Sequence, residues 1–110
     1  MKTLAMAALT ALTLLAAAPA PSPPAVTVHI EDFAFVPARL TVDAGTSVRF
    51  VNDDGEAHTV TAADKSFDSE GLDTGAQWTH RFAKPGTYAY FCELHPYMKG
   101  TIVVRPSSQS

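Results

Sequence analysis

One seven-residue stretch, Cys92-Glu93-Leu94-His95-Pro96-Tyr97-Met98, limits what this chain can become. It carries the only cysteine, one of four histidines and the only methionine beyond the first ten residues. A strand-like run, Thr87-Tyr88-Ala89-Tyr90-Phe91, leads in, and another, Gly100-Thr101-Ile102-Val103-Val104, leads out. Aromatic and β-branched residues flanking a short loop with a proline predict strand, loop, strand. Such a loop points several side chains at one place, here a thiol, an imidazole and a thioether at C-x2-H-x2-M spacing.

The donor types narrow the chemistry. Thiolate and thioether are soft donors and imidazole is intermediate; methionine is rare in zinc and iron sites of this kind, whereas copper accepts it in both oxidation states. A His2Cys plane with a weak axial methionine is the ligand set of a blue electron-transfer copper site. One more histidine is then required. His58 is the best candidate, placed by Asn52-Asp53-Asp54-Gly55-Glu56-Ala57-His58 just past a polar loop and at the predicted start of a strand. The bland alternatives are a buried small hydrophobe for Cys92, a gap-filling Met98, an exposed loop His95 and a strand-end His58. The spacing of all four favours ligation of one copper ion by His58, Cys92, His95 and Met98. His29, between Val28 and Ile30, is expected to face solvent, and His80, on one face with Trp78 and Phe82, to be partly buried and satisfied. Asp53, Asp54 and Glu56 read as a solvated loop, with a docking patch for a basic partner as the sharper alternative.

These residues carry a resemblance. The chain resembles the cupredoxins, and within them the amicyanin group, in its short C-x2-H-x2-M loop. The N-x5-H pattern from Asn52 to His58, the turn Pro85-Gly86-Thr87-Tyr88, the Tyr90-x-Cys92 pair and the glycine after the loop match as well. The resemblance covers residues 26–105.

The rest of the chain fits an exported domain. Residues 1–20 combine Lys2, an apolar run and a small-residue end, the pattern of a secretory signal peptide and not of a membrane anchor. Residues 21–25 form a Pro-rich lead, 26–105 the single domain and 106–110 a short polar tail. Loss of the leader removes one lysine and no acid, taking the formal charge from −3 to −4. No basic patch remains, so nucleic acid is not an expected partner. A periplasmic or secreted location is expected, where a lone cysteine needs burial or a metal to stay unoxidised.

The mature part reads as all-β. Val26, Val28 and Ile30 alternate with polar neighbours; Leu40 and Val42, Val48 and Phe50, then Trp78, His80 and Phe82 do the same. Tyr88, Tyr90 and Cys92 share a face, and Ile102 and Val104 finish the sheet. Residues 62–76 are expected to be a long surface loop, with room for one helical turn, held by Phe67 and Leu72. Short strands with regular turns predict a Greek-key β-sandwich.

What the resemblance implies is reversible one-electron transfer with no bond made or broken. It implies that His95 has its outer edge near solvent within an apolar patch, here Leu94, Pro96 and Tyr97, where a redox partner docks. A c-type cytochrome or a dehydrogenase would be such a partner for a monomeric carrier. It further implies that Asn52 pins the loop of His58 and that Thr59 stands where a residue ties the two ligand loops. Leu94 replaces a proline, so its N–H is expected to donate to the sulfur of Cys92. Tyr88 is expected to be structural, its hydroxyl bonded to nearby backbone. The competing reading is copper delivery, which one methionine beyond the leader and no histidine tract disfavour. An enzyme is not expected: multicopper oxidases need H-x-H pairs and dinuclear sites two cysteines.

Overall fold

The computed structural model describes residues 25–107 together with Thr3, Ala8 and Thr10. The predicted leader, apart from those three positions, lies outside the described residues, as do positions 21–24 of the Pro-rich lead and 108–110 of the tail.

The alternating segments form β1 (Val26–Glu31), β2 (Ala34–Val36), β3 (Arg39–Asp43), β4 (Thr46–Asn52), β5 (Thr61–Ala62), β6 (Gln77–Phe82), β7 (Gly86–Phe91) and β8 (Lys99–Arg105). One sheet has the order β2-β1-β4-β6 and the other β3-β8-β7-β5. The β1–β4 and β3–β8 pairs are parallel and the remaining pairs antiparallel. From β2 to β7 successive strands alternate between the two sheets, while β1–β2 and β7–β8 are neighbours within one sheet, which produces the sandwich expected from the pattern. No helix among the described residues is long and apolar enough to cross a membrane.

Period-two patterning sends one set of side chains inward from each sheet. Val28, Ile30, Val48, Phe50 and Ile102 are fully buried. Phe50 meets the rings of Trp78 and Tyr90 at centroid distances of 5.8 and 5.6 Å. Burial of side chains of this size stabilises by roughly 1.5–3 kcal/mol each, so the sandwich is a stiff base for the loops at its end.

The 62–76 segment departs from expectation. It contains no helical turn, and Ala62 belongs to β5, which pairs with β7. Phe67 and Leu72 are both buried, and isolated bridges join Thr61 to Asp68 and His58 to Leu72. The two apolar residues fold the segment back onto the sandwich, and its backbone groups pair there instead of in a helix. His58 likewise does not start a strand; its backbone pairs only with Leu72, through N–O distances of 3.1 and 2.7 Å.

The β7–β8 pair closes the base of the key loop. Phe91 faces Lys99 and Tyr90 faces Gly100 in the ladder. Any side chain at residue 100 would drive into the ring of Tyr90, which explains the glycine after the loop.

Candidate metal centre

Cys92 follows the last residue of β7, and Met98 precedes the first of β8. Between them the backbone winds tightly: the Cys92 N–H donates to the Met98 carbonyl at 3.1 Å, the His95 N–H to the Cys92 carbonyl at 3.2 Å and the Met98 N–H to the His95 carbonyl at 2.9 Å. The loop is thereby fixed by its own amides and by the strands it joins. Cys92 is fully buried and Met98 2% exposed.

His58 arrives from 34 residues upstream, also fully buried. Its Nδ1 lies 3.7 Å from Cys92 Sγ, and His95 Nδ1 lies 3.8 Å from the same sulfur. The three donor atoms all fall within 4.8 Å of one another. An ion with bonds of about 2.0–2.3 Å, at trigonal angles of about 120°, separates nitrogen and sulfur donors by about 3.7–3.8 Å. The observed spacing is that of donors around a common centre.

The His58 loop is built by side chains. Asn52, fully buried at the end of β4, donates through Nδ2 to the carbonyls of Glu56 and Leu72, each at 2.8 Å. Its Oδ1 accepts the Asp54 N–H at 2.9 Å. The Thr59 hydroxyl accepts the Glu93 N–H at 2.8 Å, so one short side chain ties the two loops as the resemblance implied.

The sulfur's amide donor is not the one expected. The Thr59 N–H reaches Cys92 Sγ at 3.3 Å, while the N–H of Leu94 makes no bond to it. Leu94 lies inside the tight wind between Cys92 and His95, and the sulfur turns toward the opposite loop instead.

Asp54 also differs from its reading as a solvated carboxylate. Its Oδ2 lies 2.8 Å from His58 Nε2, and its side chain is only 11% exposed. Burial pushes this carboxyl up, but the Phe33 amide, the His58 ring and the Asp32 amide outweigh it and hold it below the ordinary carboxylate value. Its neighbours behave separately. Asp53 pairs with His29, which is exposed as expected, at 2.7 Å, and Glu56 approaches His95 Nε2 at 3.5 Å.

Phe33 was not singled out by sequence. It sits on the β1–β2 turn with φ +56°. Its ring stands edge-on to His58 and His95, with centroids at 5.4 and 5.2 Å. Phe33, Leu94 and Tyr97 are exposed large apolar residues at 39, 56 and 68%. The side chain of His95 is 23% exposed beside them. The signal for Phe33 was an apolar residue at a hairpin tip after Glu31-Asp32, which strand patterning leaves unassigned. His80 is half-buried against Phe67, Trp78 and Phe82, and the Tyr88 hydroxyl donates to the Lys84 carbonyl at 2.7 Å.

Comparison with known proteins agrees with this geometry. The cupredoxin-like domain family profile matches residues 4–104. An amicyanin from Paracoccus versutus is 32% identical over 85 residues, covering 73% of this chain and 64% of that protein. A plastocyanin from Scenedesmus fuscus is 33% identical over 89 residues, covering 64% of this chain and 86% of that one. Among solved structures, a Cu-containing nitrite reductase from Thermus scotoductus SA-01 superimposes with a TM-score of 0.75 at 36% identity, over 80% of this chain and 24% of that one. The chain thus spans less than two thirds of the amicyanin and about a quarter of the reductase.

Proposed function

The chain belongs to the cupredoxin-like domain family, and on that footing we propose that it carries single electrons between redox partners through one copper ion held by His58, Cys92, His95 and Met98. The observation that carries this reading is the approach of two imidazole Nδ1 atoms to one buried sulfur at 3.7 and 3.8 Å. Two imidazoles, a thiolate and a thioether suit copper better than other first-row ions. Bound copper would supply the one-electron couple, Cu(II)/Cu(I).

The chain's own residues do the rest. His58 and Cys92 are held without solvent contact, so water is excluded from these two donors. The Thr59 N–H draws electron density from the sulfur and favours the reduced state. The Asn52 and Thr59 bonds hold both loops in one arrangement, which keeps rearrangement between oxidation states small. His95 is the ligand with an edge toward solvent, and Phe33, Leu94 and Tyr97 form the apolar surface beside it. A partner docks there briefly and exchanges the electron through that ring.

Residues 26–105 act as one carrier domain behind a leader at 1–20, monomeric and periplasmic or secreted. A c-type cytochrome or a dehydrogenase would suit as partner. The nitrite reductase likeness spans a quarter of that enzyme. This chain has one cysteine and no H-x-H pair, so a carrier is preferred to an enzyme. Delivery of copper is disfavoured because Cys92, His58 and Met98 are buried.

The test is the visible spectrum after Cu(II) addition. An intense band in the orange-red and a reversible one-electron wave are expected, and both should vanish in Cys92→Ser. A protein that stays colourless in excess Cu(II) overturns the reading, and rapid Cu(I) transfer to a chelator would favour delivery.

A further inference from the structure

Asp54 makes more bonds than a loop carboxylate needs. Its Oδ1 accepts the Asp32 N–H at 2.7 Å, and its Oδ2 accepts the Phe33 N–H at 3.0 Å while lying 2.8 Å from His58 Nε2. Asp32 and Phe33 have φ values of +51° and +56°, the left-handed backbone that side chains rarely adopt. The turn of the β1–β2 hairpin is therefore folded around this carboxylate, and the carboxylate stands behind the imidazole of His58. Asp53, one residue earlier, points to the surface and pairs with His29.

We infer that Asp54 is a positioning residue that sets the redox poise of the centre through His58. The inference rests on the copper reading above. An ionised carboxylate can only accept, so its contact with Nε2 fixes the ring as the Nε2–H tautomer. Nδ1 then presents a lone pair toward Cys92 Sγ. A carboxylate accepting the outer N–H of a ligating imidazole also makes that ring a stronger donor. The negative charge favours the more highly charged Cu(II) over Cu(I). Two backbone amides stop the carboxylate from swinging away. Asp54 thus lowers the potential, against the Thr59 amide at the sulfur, which raises it.

The competing account is that Asp54 merely clamps the hairpin that carries Phe33, and three variants separate the two. Asp54→Asn should weaken Cu(II) binding by about 10–100-fold with a smaller change for Cu(I). Each tenfold change in that ratio raises a one-electron potential by about 59 mV. Asp53→Asn removes the same charge one residue away, and Phe33→Leu removes the ring; both should move the potential much less. In the copper-free wild type, ¹⁵N shifts of the His58 ring should report the Nε2–H tautomer, a measurement that survives if Asp54→Asn fails to fold. A blue wild type with His58 in the Nδ1–H form, or with Asp54→Asn shifting the potential no more than Asp53→Asn, overturns this inference alone. A colourless wild type overturns the copper reading and the inference with it.

Discussion

The two loops that meet at the centre are built by opposite means. The Cys92–Met98 loop holds three of the four proposed donor residues within seven consecutive positions, closed by the β7–β8 ladder and its own amides. The Asn52–His58 loop holds one proposed donor and is shaped by side chains: Asn52 on two carbonyls and one amide, Asp54 on His58 and a distant turn. A loop between paired strands needs little besides its strands. A loop joined to its surroundings by only a few backbone bonds leaves the rest of its backbone groups for buried side chains to satisfy, and each of these becomes a point of failure.

Asn52→Ala should therefore do more harm than any change in the backbone-closed loop outside the ligands. It strips the Glu56 carbonyl and the Asp54 amide of their partner and leaves the Leu72 carbonyl with the His58 N–H alone, for a loss of about 3 kcal/mol, measurable as a lower urea midpoint of the copper-free protein. The His58 region should also show faster amide exchange. A loss as small as that of a surface substitution would break the contrast between the loops.

Gly100→Ala attacks the base of the other loop. The added methyl meets the Tyr90 ring, and overpacking of this kind costs about 1–3 kcal/mol. The prediction is a lower melting temperature with the blue spectrum nearly unchanged, since the ladder, not the glycine, sets the loop. A large spectral change would show that the strand pair transmits strain directly to the donors.

Thr59→Val is a finer probe of the seam between the loops. It removes the hydroxyl that accepts from Glu93 and meets Thr61 Oγ1 at 2.9 Å, but keeps the Thr59 N–H on the sulfur. A loss of about 1 kcal/mol is expected, read by denaturant unfolding, with the copper–thiolate band retained.

The smallest effect concerns His80, remote from both loops. Burial among aromatic rings lowers its pKa, so the unfolded chain binds the proton more readily than the folded one. The resulting stability is complete above the ordinary histidine pKa of about 6.5 and is lost as pH falls through and below it. In the copper-free protein, His80→Gln should flatten the decline of stability between neutral and mildly acidic pH relative to wild type. An unchanged slope would count against it.

Local pattern alone made much of this protein legible. Alternation at Val28-His29-Ile30 and Val48-Arg49-Phe50 specified strands and the faces they bury, because side-chain direction in a strand has a period of two residues. The spacing of Cys92, His95 and Met98 named three candidate donors, because three residue types within one short loop are confined to a small volume. Asn52 and Thr59 were readable only by resemblance. Tertiary structure decided where hydrogen bonds between distant segments go. It gave the sulfur of Cys92 the amide of Thr59 instead of that of Leu94. It drew Asp54 out of solvent onto His58, and it set Phe33 across both imidazoles. Those contacts join residues 4 to 62 positions apart in sequence. Which donor meets which acceptor is fixed only when the sheets have packed and the remaining groups have lost their water.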